Sequence, residues 1–283
     1  MIDETVEEIA EMQTHSSSVV AIKAARALRA LSDREFPTVE EYQRALERNS
    51  DALRRANPSH ATLQTTQREI VDRVAESDHD SVADAQARAE SVISEIVERV
   101  ESAKARAGER AAESLSDGDT VFTYDYSSTV VEALERAAEG GVSLTIYCAE
   151  ARPRHLGRKM ARTLAAFDEF DVHLVVDGAA GIFLQECDRV LVGMDCIVDE
   201  TLYNRVGTYP VAATAADIGV PVVVVGAESK IVGGGFAFEN EERSVSEVIR
   251  EPADGFVVEN PAYDATPMRL VDRVVTDAGV REY

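Results

Sequence analysis

Val190-Leu191-Val192-Gly193-Met194-Asp195 is an apolar run that ends on a single carboxylate, and Asn204-Arg205-Val206-Gly207-Thr208 follows shortly after it. Tyr209-Pro210-Val211-Ala212-Ala213 then reads as a helix. A strand covered on both faces in a parallel sheet is written as such a run. A charge at its carboxyl end stands where open α/β sheets bind ligands. Asp195 is therefore the first candidate for chemistry, although an Asp that closes a strand and opens a turn has the same signature.

Four further runs share this grammar: Val121-Phe122-Thr123, Leu144-Thr145-Ile146-Tyr147, Val172-His173-Leu174-Val175-Val176 and Val222-Val223-Val224-Val225. Helical stretches separate them, so the expected class is α/β, with a Rossmann-like doubly wound parallel sheet over 116–283. No GxGxxG follows the first strand, and Gly233-Gly234-Gly235 lacks the Lys-Ser or Lys-Thr of a P-loop. Ahead of the turn Ser116-Asp117-Gly118-Asp119 only helical signals occur, which predicts a helical N-terminal domain over 1–115. Ile2, Val6, Ile9 and Met12 have helical spacing. Ser16-Ser17-Ser18 reads as a cap for a helix reaching Leu31, and Pro37-Thr38 opens another through Tyr42 and Leu46 to about Leu53. Stretches 59–76 and 80–106 complete the set, the last repeating Val92, Ile96, Val97 and Val100.

The strand ends have a common property. Asp125 follows the first, Glu150 and Arg152 the second, Asp177 the third, Asp195 the fourth, and Ser229-Lys230 the fifth. Parallel strands would gather these groups on one edge, as a rim suited to a small polar ligand carrying phosphate. Arg152 and Lys230 would hold the anion. The helix start at Ser127-Ser128 would offer N–H groups, and the carboxylates would bind hydroxyls or move protons. Helix starts favour Asp and Ser in any case, so a single instance says little; polar groups after all five strands point to a site.

Composition narrows the classes. Of 283 residues 45% are hydrophobic, enough for more than one domain. No apolar run is long enough for a membrane span, and Met1-Ile2-Asp3-Glu4 is not a basic leader, so a cytoplasmic location is expected. The formal net charge is −23, and lysine occurs only at positions 23, 104, 159 and 230. Such a chain suits a salt-rich, halophilic setting, where screening reduces self-repulsion. The absence of a basic stripe disfavours nucleic acid. Cys148, Cys187 and Cys196 have neither disulfide-framework nor zinc spacing, so no metal and no cofactor are expected. Among the histidines, His15 and His60 are the ones placed to touch a ligand.

The same residues carry a family likeness. The segments are Asp117-Gly118-Asp119-Thr120-Val121 with Tyr126-Ser127, Glu150-Ala151-Arg152-Pro153 with Gly157-Arg158-Lys159-Met160-Ala161, Val176-Asp177-Gly178-Ala179-Ala180, Val192-Gly193-Met194-Asp195, Asn204-Arg205-Val206-Gly207-Thr208, Ala227-Glu228-Ser229-Lys230 and Asn260-Pro261-Ala262-Tyr263-Asp264-Ala265-Thr266-Pro267. In this order the chain resembles the family that joins the alpha, beta and delta subunits of translation initiation factor 2B with methylthioribose-1-phosphate and ribose-1,5-bisphosphate isomerases. The resemblance implies a sugar-phosphate or AMP-like ligand, a homodimer or larger homo-oligomer, and initiation factor 2 as a partner. Phe236, Phe238, Phe256, Val257 and Val258 form an apolar set that suits either an interface or a core.

Two departures bear on the branch. The isomerases have a Cys two residues before the Ser of the first loop, where this chain has Asp125. Their Arg-Gly-Ala turn is replaced by His15-Ser16-Ser17-Ser18. Against these, the isomerases' catalytic Asp matches Asp195, where regulatory alpha subunits often have Glu. The expectation is an initiation-factor-2B-like protein whose pocket is regulatory or sensing. The alternative is an aldose–ketose isomerase acting on ribose-1,5-bisphosphate or a related ribose-1-phosphate. Asp195 and Asp125 would then be catalytic, Asp125 being kept protonated by an apolar pocket or by Asp195. Ser127, Ser128, Arg152, Asn204, Arg205 and Lys230 would bind substrate.

Overall fold

The computed structural model describes residues 2–11, 17–58, 60–233, 236, 238–251 and 254–283. They form two compact units, Met1–Ser102 and Ala103–Tyr283. The first is built from α1 (Ile2–Glu11), α2 (Ser17–Leu28), α3 (Val39–Ala56), α4 (Ala61–Ala75) and the start of α5 (Val82–Ala112). Apolar residues at three- and four-residue spacing bury one stripe of each helix. Tyr42, Leu46 and Leu53 of α3, Leu63, Ile70 and Val74 of α4, and Val92, Ile96 and Val100 of α5 belong to one core. Thr38 caps α3, its hydroxyl accepting the Glu41 N–H at 3.3 Å. The predicted cap at Ser16 and the ligand contact at His15 lie outside the described residues.

Helix α5 continues to Ala112, beyond the predicted 106, and Ala107 and Ala111 pack into the core of the second unit. Its last turns thus belong with the sheet, while the change in sequence pattern comes later, near residue 116.

The second unit contains β1 (Thr120–Tyr124), α6 (Ser128–Glu139), β2 (Leu144–Ala149), α7 (Leu156–Leu164), β3 (Phe170–Val175), the short α8 (Ala180–Phe183), β4 (Arg189–Gly193), β5 (Cys196–Val198), β6 (Thr201–Arg205), α9 (Thr208–Ile218), β7 (Val222–Val225), β8 (Ile231–Val232), β9 (Tyr263–Pro267), β10 (Arg273–Val275) and β11 (Val280–Glu282). The main sheet has the order β11-β10-β7-β4-β1-β2-β3 and is parallel except for β11. The chain winds outward from β1 through β2 to β3, returns to β4 on the other side, and continues to β7 and β10. This is the doubly wound order, with its switch point between β1 and β4. Alternate residues face opposite layers. Val190 and Val192 pack with Val211 and Ala215 of α9, while Leu191 joins Leu134 of α6 and Met160 of α7.

A second sheet, β8-β5-β6-β9, departs from the sequence reading. The Asn204-Arg205 pair leads into α9 as read, but it also closes a strand that the sequence reading did not include. Strands β5 and β6 form an antiparallel hairpin around Asp199 and Glu200, with φ of 44° and 59°. Both lie in the left-handed region that primed two-residue turns require. Asn-Gly normally signals such a turn, and Asp-Glu does not. In the apolar set, Phe236 is buried and Phe238 stacks on Tyr203, whereas Phe256 and Val257 are exposed.

Candidate active site

The switch point sets the ends of β1 and β4 side by side, and with them Asp125 and Asp195. Arg205, at the end of β6, stands between them. Its Nε is 3.6 Å from Asp125 Oδ2 and 3.8 Å from Asp195 Oδ2. Asp125 has a φ of 63° and is only 6% exposed, while Asp195 is more open. Burial pushes the Asp125 carboxyl up to about 6; the Asp195 charge acts in the same direction, while Arg205, the Tyr126 N–H and Arg154 oppose it. A carboxyl of this kind exchanges a proton near neutrality.

The surroundings hold Arg205 in place. Its guanidinium lies 4.7 Å from the centre of the Tyr263 ring, which Phe238 meets edge-on. Such stacking orients a planar cation. Asn204 turns away from the cleft, donating to Thr208 Oγ1 at 3.0 Å, and Thr208 donates to the Arg205 carbonyl at 2.7 Å. Asp264 accepts the N–H groups of Gly207 (2.7 Å) and Tyr209 (2.9 Å), so a protein carboxylate occupies the start of α9. Gly207 has a φ of 108°, and a Cβ there would lie 1.9 Å from the Tyr124 hydroxyl, which donates to the Val206 carbonyl at 2.9 Å.

The other sequence candidates have varied roles. Ser127 caps α6 by accepting the Val130 N–H at 3.3 Å, against Gly193, where any Cβ would strike it. Ser128 is exposed. Lys230 donates to the Met194 carbonyl at 2.7 Å, from behind Asp195; burial pulls its pKa down and Asp195 resists this. Glu150 pairs with Arg158 at 2.7 Å, and Asp177 accepts the N–H groups of Ala151 and Arg152. Two of the strand-end acids thus hold the loop after β2. The exposed Arg152 directs its guanidinium to the Val248 carbonyl at 3.2 Å.

A cleft open to solvent borders Asp125 and Arg205 and is also lined by Arg152, Arg154, Arg243 and Asn260. Sequence reasoning missed Arg154 and Arg243. Arg154 stands two places beyond Arg152 in the same loop, which was a usable signal. Arg243 lies in a stretch without regular periodicity and carried none. All three thiols are buried, each pushed up to about 12, chiefly by burial. Among the described residues no group of three His, Cys, Asp or Glu side chains is arranged to hold a metal ion, and no helix is long and apolar enough to cross a membrane.

The Initiation factor 2 subunit family matches this chain over residues 13–282. The chain belongs to that family. Within the Initiation factor 2 subunit family, the ribose 1,5-bisphosphate isomerase of Haloterrigena turkmenica is 32% identical over 292 residues, covering 97% of this chain and 88% of that protein. The ribose 1,5-bisphosphate isomerase of Methanocaldococcus jannaschii is 29% identical, covering 99% and 91%. Among solved structures, the translation initiation factor eIF-2B of Pyrococcus horikoshii OT3 has the same fold, with a TM-score of 0.75 at 23% identity over 99% of this chain and 96% of that one. The 5-methylthioribose 1-phosphate isomerase of the same organism gives 0.71 at 26% identity, covering 100% and 84%.

These relatives correct one expectation. The missing Cys and the missing Arg-Gly-Ala turn favoured a regulatory or sensing protein. Six curated relatives, at 28–32% identity over 97–99% of this chain, are instead named ribose 1,5-bisphosphate isomerase.

Proposed function

We propose that the protein is an aldose–ketose isomerase that converts ribose 1,5-bisphosphate to the corresponding ketose bisphosphate. The observation that carries this is Asp125, a carboxyl raised to about 6, facing Asp195 across Arg205 at the switch point of the sheet. The names of the relatives support the same reading.

The reaction is an internal redox step and needs no external oxidant. The bond from C1 to the ring oxygen breaks, and protonated Asp125 delivers its proton to that oxygen. The Asp195 carboxylate takes the proton of the C2 hydroxyl. Hydrogen moves from C2 to C1, so C2 is oxidised to the ketone and C1 is reduced. Arg205 holds both carboxyl groups at the reacting carbons and offsets the negative charge beside them. Proton transfer by positioned side chains contributes roughly 10²–10⁴-fold to rate.

The test is to incubate purified protein with ribose 1,5-bisphosphate in concentrated NaCl and follow the ketose by NMR. Turnover is expected in the wild type and a loss of about 10²–10⁴-fold in Asp195→Asn, with the melting temperature little changed because Asp195 is partly open. Absence of ketose with the wild type, or an undiminished rate in Asp195→Asn, overturns the reading.

A further inference from the structure

We propose that Arg154, beside Arg243 in the cleft, is the subsite for the phosphate remote from the reacting carbons, and that it selects a sugar bisphosphate over a sugar carrying a single phosphate at C1. This rests on the isomerase reading and names the substrate feature that the cleft recognises.

Four arginines line one cleft: Arg152, whose guanidinium turns to the Val248 carbonyl, and Arg154, Arg205 and Arg243. Two of them are matched within the protein. Arg205 lies between two aspartates. Arg243 donates to Glu247 at 2.8 Å and to Glu241 at 2.9 Å. Arg154 differs: among the described residues it makes no hydrogen bond and no ion pair, although it is half-buried. Burial, Arg243 and Arg205 together disfavour its charge, and Glu247 and Asp125 only partly offset them. A fork of five donors left partly desolvated beside two like charges is costly unless an anion occupies the cleft. Phosphate fits that fork in both charge and geometry.

The surrounding sequence agrees. From Arg152 to Arg162 the chain carries Arg152, Arg154, Arg158, Lys159 and Arg162 and no acid, in a protein of formal charge −23. A local positive field in a negative molecule draws an anionic ligand to this loop. Arg205 is taken up by the reacting acid pair, which leaves Arg154 as a separate cationic position for a phosphate. An apolar methylthio group in the same place would leave Arg154 uncompensated.

Steady-state kinetics with ribose 1,5-bisphosphate and with methylthioribose 1-phosphate test the idea, in the wild type and in Arg154→Ala and Arg154→Met. For the bisphosphate the expected result is a rise in KM of tenfold or more with kcat within about threefold, since binding is lost and not chemistry. For methylthioribose 1-phosphate KM is expected to stay level or fall. Equal effects on both substrates, or none on either, overturn the subsite. Ribose 5-phosphate provides a binding arm that does not depend on turnover. It is expected to raise the melting temperature of the wild type but not of Arg154→Ala. If that difference appears while no substrate is turned over, the isomerase reading fails and the subsite stands. If ribose 5-phosphate protects both proteins alike, the subsite fails whatever the catalysis shows.

Discussion

Asp125 is the residue on which the proposed reaction turns. Its carboxyl rises from 3.8 to about 6, chiefly through burial. Catalysis that uses its proton is expected to decline as pH rises through about 6, visible as the alkaline limb of kcat/KM. Stability follows the same group. The folded state holds the proton more tightly than the unfolded chain, so between pH 3.8 and about 6 folding takes up protons. Raising the pH through that window removes stability, by about 3 kcal/mol for a shift of this size. Asp125→Asn carries no such penalty. Urea unfolding of both proteins at pH 4 and pH 7 is expected to show the variant gaining on the wild type at the higher pH. Parallel behaviour at the two pH values would contradict the burial argument. Asp125 and Asp195 were visible in the sequence because each follows an apolar strand, and parallel strands align their ends. Arg154 was less visible because its role depends on having no partner, a property of packing and not of spacing.

Among the elements, the hairpin of β5 and β6 carries Arg205 to the acids, and the Gly207 turn fixes where the strand ends. Two constraints meet at Gly207: a φ of 108° and the Tyr124 ring standing where a Cβ would be. Gly207→Ala is expected to destabilise the protein by about 2–5 kcal/mol, from backbone strain and overpacking together. Thermal or urea unfolding measures this, and a change under about 1 kcal/mol would show that the ring moves aside freely. The five strands of the main sheet that were read from sequence all exist, because runs such as Val222–Val225 are buried on both faces and so are continuously apolar. The second sheet escaped notice for the converse reason. Its strands are short, mix polar and apolar residues, and turn on Asp199-Glu200 without glycine. Strands β10 and β11, at the edge of the main sheet, have only three residues each.

Over the protein as a whole, the excess of acid governs the electrostatics. A formal charge of −23 makes folding work against self-repulsion. Surface ion pairs such as Lys23–Glu8 and Arg26–Glu101 are exposed and each contributes at most about 1 kcal/mol. Salt weakens both effects, but repulsion acts over the entire surface and wins. The melting temperature is therefore expected to rise between about 0.1 M and 1 M NaCl, as the screening length falls from about 10 Å to about 3 Å; a fall would mean that the ion pairs outweigh the net charge. The fold class and the acid pair could be derived from the chain alone, because both follow from local pattern. The cationic wall of the cleft could not, because Arg154, Arg205 and Arg243 come from three separate segments. One further property is global. Every sulfhydryl is sealed in the interior and held as the neutral thiol, and none of the three borders the cleft. Peroxide and alkylating reagents act on thiolates, so none of the three cysteines is a ready target, and the reaction proposed for Asp125 and Asp195 is expected to keep its rate after treatment with either reagent.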